Sequence, residues 1–293
     1  MKPGDLIQAL IVVIIWGFNF VMIKTAVSEI PPLALTALRF SFVALLVAPF
    51  FRPTREQLPK LIWLALILGC GHFGMLFIGL RGADAATTAL MIQLGIPFSV
   101  ILATVFFSDS LGWGRILGMS LAFAGAALLA GEPHGATPAA LGALLFSAFC
   151  WAWANILIKQ YTQIHAMTII GWMSLFSVPL LVLASFFLET DQLTAIQSAS
   201  WKAWAALGYI AIGSSIIAYY IWYRLIARLT INQVVPFSML APMLGVAAGI
   251  LILNEEFTFY KALGGLLTIG GITLIEIRQA RLRKRALRAT PIE

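Results

Sequence analysis

Two stretches of the sequence carry polar and aromatic side chains in the middle of apolar runs. IIWGFNFVMIKTA at 14–26 holds Trp16, Asn19 and Lys24, and FCWAWANILIKQY at 149–161 repeats the pattern with Trp151, Asn155 and Lys159. At 1.5 Å per residue Trp16 lies roughly 15 Å into a run that starts at Leu6, too deep for an interfacial aromatic belt. Asn19 follows three residues on, and Trp151, Asn155 and Lys159 form an i, i+4, i+8 stripe on one helix face. An unpaired amide is costly in hydrocarbon. The chemistry on offer is therefore recognition: flat apolar walls from Trp and an orienting hydrogen bond from Asn. Helix packing around Asn is the competing reading. Lys24 and Lys159, at the ends of their runs, are expected to snorkel to water.

Further candidates lie at similar depth. Pro97 and Pro242 interrupt apolar runs and release the carbonyls of Gln93 and Ser238, four residues upstream. Lipid cannot satisfy a bare carbonyl, so these points must face protein or a wet chamber. The Gln93 amide and Ser238 hydroxyl add polarity there. Arg39 sits roughly 10 Å below the end of its run. It is placed either to hold an anion such as a carboxylate or to fix its helix through backbone carbonyls. His72 and Tyr220 are candidate lining groups, with satisfied core positions as the alternative; Tyr220 is chosen among its neighbours by aligning the runs on Pro97 and Pro242.

Nothing in the pattern suggests bond-breaking chemistry. There is no HExxH, no paired intramembrane aspartates and no clustered Cys and His, so neither an enzyme nor a cofactor or metal is expected. Cys70 and Cys150 read as small buried hydrophobes.

The elements that must position these groups are helices in a bilayer. Of 293 residues, 61% are hydrophobic and 11% charged, against about 25% charged in soluble domains. Continuous apolar runs exclude a barrel, whose strands alternate. Ten runs stand out: 6–26, 33–51, 61–80, 85–107, 112–131, 138–158, 166–188, 202–224, 231–253 and 259–278. The first is read as a retained span rather than a signal peptide. Of the 19 Lys and Arg, only Lys24, Arg81, Lys202 and Lys261 fall on one side, with Arg39 inside a span. The remainder, including the basic tail 279–293, marks the cytoplasmic side and places both termini there. That tail reads as an anchor near anionic lipid, not as a nucleic-acid site.

The chain also repeats itself. WGFNFVMIK matches WAWANILIK, and 93–125 parallels 238–271, pairing Asp109 with Glu255, Gly118 with Gly264 and Gly125 with Gly271. Two five-span units, 1–135 and 136–278, follow. An odd span number inverts the second unit, an arrangement that suits a transporter opening to either face around a central cavity. GxxxG spacings predict that the fifth and tenth spans pack closely.

WGFNFVMIK, LRF at 38–40, and the paired signatures DSLGWGRILG (109–118) and EEFTFYKALG (255–264) resemble the EamA branch of the drug/metabolite transporter superfamily, and within it bacterial inner-membrane exporters of amino acids, aromatic ones included. Ser-Asp at 108–109 and Asn-Glu at 254–255 depart from the Gly-Glu common in that family. The resemblance implies an all-α inner-membrane exporter, monomeric, moving a small solute such as an amino acid by alternating access. Facilitated diffusion is preferred to proton antiport, because no Asp or Glu lies mid-span and His72 alone would titrate near neutrality there. The alternatives are export of other metabolites or drugs, a nucleotide-sugar or phosphate-ester carrier, and a passive pore.

Overall fold

A computed structural model describes residues 2–107, 112–133, 135–161, 163–229, 237 and 240–289, without the side chains of Phe107, Tyr223, Ile226, Ala227 and 279–289. Helices α1 (Pro3–Val27), α2 (Pro32–Phe50), α3 (Arg55–Arg81), α4 (Ala85–Phe106), α5 (Trp113–Ala130), α6 (Pro138–Gln160), α7 (Ala166–Leu188) and α8 (Trp201–Trp222) are each long and apolar enough to cross a membrane. So is Phe259–Arg278 of α10 (Phe259–Ala289), making nine among the described residues. Leu240–Leu253, here α9, is apolar but shorter. Residues 231–236, 238 and 239, which the sequence reading assigns to the ninth span, lie outside the described residues, and so does Asp109.

Helix is the form that satisfies every backbone group within lipid. The exposed ends are finished with local devices. Pro3, Pro32 and Pro138 open α1, α2 and α6 in the first turn, where a missing amide costs nothing. Carboxylates from distant elements take the free amides of two others. Glu189 accepts from Leu33 and Ala34 of α2 at 2.8 and 3.1 Å, and Glu255 from Ala85 and Ala86 of α4 at 2.6 and 2.9 Å.

Three interiors depart from α-helical winding. Ala65–Gly74 of α3 and Tyr209–Ile217 of α8 are π-helical, and α4 tightens to a 3-10 turn at Ile92–Leu94. The turn lies just upstream of Pro97, and the Gly95 amide there donates to the Ile92 carbonyl. The change of winding thus falls at Gln93, the residue whose carbonyl Pro97 deprives of its helical donor. Pro242 lies in α9, and the residues on which the expected release of the Ser238 carbonyl depends, 238 and 239, are outside the described residues.

The helices pair in a crossed manner. α1 packs on α8 and α9, while α6 packs on α3 and α4; α2 lies on α7, α5 on α10, and α4 on α9. The α5–α10 contact is as close as the glycine spacing predicts. A Cβ at Gly118 would stand 2.6 Å from the Gly271 carbonyl, and one at Gly125 2.5 Å from that of Gly264. Gly270, its neighbour in sequence, faces open space. Large apolar side chains such as Leu45, Phe50, Val105, Phe186 and Leu251 point outward, whereas Arg39 and Glu132 are buried, the reverse of a soluble protein.

Candidate functional site

Arg39 enters the bundle from α2 and is 2% exposed. Its Nε and Nη2 both donate to Ser215 Oγ in the π-helical stretch of α8, at 3.1 and 2.9 Å. Ser215 passes its own hydrogen to the Ile210 carbonyl, five residues back, at 2.9 Å. The guanidinium carbon lies 4.5 Å from the ring centre of Phe73, 5.6 Å from Phe77 and 5.7 Å from Phe40, in cation–π range. Nη1 is buried without a hydrogen-bond partner.

Two aromatic groups flank this arginine, each built from residues of both halves of the chain. On the first, Trp16 of α1 packs against Tyr219 and Trp222 of α8, with ring centres 5.3 and 5.1 Å apart. The Tyr209 hydroxyl ties α8 to the Ile15 carbonyl of α1 at 2.9 Å. On the second, Trp151 of α6 packs against His72 of α3 at 5.0 Å, and His72 meets Phe73 at 4.5 Å. His72 Nδ1 lies 3.1 Å from the Ser147 carbonyl and 2.9 Å from its hydroxyl, which also donates to the His72 carbonyl at 2.8 Å. Tyr219 and His72 are both within electrostatic reach of Arg39.

Gly95 of α4 lets this backbone lie against Trp151; a Cβ there would stand 2.6 Å from the indole. Pro97, two residues on, is buried, and Gln93 is half-buried in the 3-10 turn. Asn19 is half-buried, and its Oδ1 is buried with no partner.

Other candidates are placed differently from the sequence expectation. Asn155 is exposed: the buried face of α6 runs through Ser147, Ala154 and Leu157, and Asn155 falls beside it. Tyr220 is 55% exposed on the outside of α8, and its neighbour Tyr219 faces Trp16 instead. Tyr219 and not Tyr220 takes the face of α8 that meets α1. Pro242 is buried in α9, and Ser238 lies outside the described residues. Lys24 does not snorkel: its Nζ donates to the carbonyls of Leu80, Arg81 and Ala83 at 2.9, 3.3 and 2.6 Å, closing the end of α3. Sequence reasoning missed Tyr219, Ser215, Ser147 and Trp222. Only the crowding of aromatics at 219–223 signalled any of them.

Among the described residues no three His, Cys, Asp or Glu side chains gather as a metal site would need. Two open clefts lie on the lateral surface: one of about 700 Å³ between α2 and α7, bordered by Ser41, Arg52 and Trp172, and one of about 420 Å³ between α1 and α9. Neither includes Trp16, Arg39, His72 or Trp151.

Comparison with known proteins matches the chain twice to the EamA-like transporter family, over residues 5–131 and 138–277. The chain is 30% identical to a probable amino-acid metabolite efflux pump of Escherichia coli K12, over 97% of this chain and 98% of that protein. A probable amino-acid metabolite efflux pump of Salmonella typhimurium is 31% identical over 98% and 99% of the two chains. A probable terminal-alkyne amino-acid exporter of Streptantibioticus cattleyicolor is 27% identical over 98% of each. One solved crystal structure aligns with a TM-score of 0.64 at 18% identity, covering 96% of this chain and 99% of that one, and so shares the fold.

Proposed function

We propose that this chain, which belongs to the EamA-like transporter family, exports amino acids, aromatic ones among them, across the bacterial inner membrane by alternating access. The relatives' names support the solute class. The observation that carries the mechanism is the crossed pairing at the centre. Trp16 meets Tyr219 across α1 and α8, and Trp151 meets His72 across α6 and α3. If each half is one five-helix unit, with boundaries near 1–135 and 136–278, these are the same contact made twice with the halves exchanged. The α5–α10 seam supports the same relation. Gly118 lies on Gly271 and Gly125 on Gly264, whereas the sequence repeat pairs Gly118 with Gly264 and Gly125 with Gly271. Exchange of partners in this way is what a two-fold axis in the membrane plane produces, and inversion of one unit gives such an axis.

In this reading the two aromatic groups are the walls of a chamber that closes when empty. Indole and phenol faces accept an apolar or aromatic side chain, and Asn19, Gln93 and Arg39 supply polar contacts. Both chain termini lie in the cytoplasm, by the distribution of Lys and Arg. His72 is enclosed and engaged with Ser147, a poor position from which to carry protons between two faces. Facilitated diffusion therefore remains the preferred energetics. A nucleotide-sugar or phosphate ester would need more cations at this depth than Arg39 alone.

Counterflow with purified protein in liposomes and labelled amino acids tests the proposal. Wild-type protein is expected to exchange aromatic amino acids saturably without an imposed pH gradient. Trp16→Ala, Trp151→Ala and Gln93→Ala are expected to lower flux while leaving the protein folded. Flux that needs a pH gradient would replace facilitated diffusion with antiport. Wild-type flux in all three variants would remove those side chains from the chamber.

A further inference from the structure

The geometry points to a carboxylate subsite at Arg39: its free Nη1 edge takes the α-carboxylate of the transported amino acid, while Ser215 holds the opposite edge until the ligand arrives. This rests on the export reading above. A guanidinium has five N–H donors and no acceptor. Here Nε and Nη2 converge on the single oxygen of Ser215, and Nη1, also buried, donates to nothing. The neighbouring Phe40, Phe73 and Phe77 hold the cation by their rings but offer no hydrogen-bond acceptor.

An arginine that only braced its helix would be expected to use such a donor on a carbonyl. Lys24 shows that choice in the same molecule, with three carbonyl contacts. An unpaired buried charged donor is expensive, and a carboxylate is the group whose two oxygens fit the planar fork. Ser215 sits in the π-helical stretch, bonded across five residues to Ile210. Such winding is frequent at functional sites and can relax.

A second unpaired group has the opposite polarity. The Asn19 Oδ1 acceptor is buried without a partner one turn from Trp16, which packs on Tyr219. An unpaired acceptor of this kind is what an ammonium group requires.

The test is displacement of labelled L-phenylalanine from the purified full-length protein in detergent. The competitors are unlabelled L-phenylalanine and L-phenylalaninamide, which keeps the ring and ammonium but lacks the carboxylate charge. The amide is expected to compete at least about tenfold more weakly with wild type. Arg39→Met is expected to erase that difference. Ser215→Ala, which releases two donors, is expected to tighten phenylalanine binding but leave the amide unchanged. Equal competition by acid and amide in wild type overturns the subsite while leaving export intact. So does Arg39→Met protein that keeps the preference. If Arg39→Met does not fold, Ser215→Ala decides: selective tightening supports the subsite, and equal weakening of both ligands overturns it. No binding of any amino acid by wild type removes the export reading itself.

Discussion

At the scale of single residues, the most informative contrast is between two adjacent tyrosines. Tyr219 packs on Trp16, while Tyr220 points out of the bundle. Tyr219→Ala is expected to lower amino-acid flux by about tenfold or more, as loss of a packed ring from a binding wall would. Tyr220→Ala is expected to transport as wild type. Liposome counterflow of both variants, normalised to protein incorporated, distinguishes them; the reverse order would mean that the chamber wall lies on the other face of α8. A second residue-level effect concerns Glu255. Its carboxylate takes two amides at the start of α4, where negative charge is favoured by the helix dipole as well as by hydrogen bonding. Glu255→Gln is expected to cost about 1 kcal/mol of stability, read as a lower Tm in detergent. Helix capping is the role the sequence allows the acidic position of the EEFTFYKALG signature, and here it caps the start of α4.

At the scale of elements, most of the helices were legible because their signals are local and additive. Twenty apolar residues are a helix wherever they sit in a bilayer, and the ends of α1, α2 and α6 carry prolines at the place sequence rules expect. The glycine seam was legible as a pattern but not residue by residue. Gly270 and Gly271 read alike, yet Gly271 lies against α5 and Gly270 faces open space. Gly271→Ala is therefore expected to lower Tm, since its Cβ would stand 2.7 Å from the Ala122 amide and overpacking costs about 1–3 kcal/mol. Gly270→Ala is expected to be neutral or stabilising, by up to about 1 kcal/mol of helix propensity. Equal Tm values for the pair would contradict the rotation assigned to α10. The π-helical stretches of α3 and α8 were not legible. Their winding depends on what packs across them, and ALILGCGHFG and YIAIGSSII contain no proline to announce it. Ser215 lies in one of these stretches and went unnoticed until Arg39 was seen to hold it.

At the scale of the whole molecule, one end of the bundle is fastened by links between distant segments. Lys24 binds the end of α3, Glu189 the start of α2, Glu255 the start of α4, and Lys261 joins Asp84 at 2.6 Å. Glu29, in the α1–α2 connection, accepts from the Ser200 amide and hydroxyl at 2.6 and 2.7 Å, joining that connection to the start of α8. The Ser200 hydroxyl first, and then its amide, hold the Glu29 carboxyl below its ordinary value of 4.5. A depressed carboxylate pKa stabilises the linked form above the ordinary value, and that contribution is lost as pH falls through the lowered one. The Glu29 clasp is thus whole at neutral pH and fails only in acid. If transport proceeds by alternating access, this clasp must part in every cycle, and holding it shut must stop flux. Glu29→Cys with Ser200→Cys, in a background with Cys70→Ser and Cys150→Ser to remove the free thiols, provides the means. A short bis-methanethiosulfonate reagent is expected to abolish counterflow, and a reducing agent to restore it, with each single-cysteine variant unaffected. Undiminished flux through cross-linked protein would show that this end does not open and close around the solute, and would favour a continuous pore over a chamber reached from each side in turn.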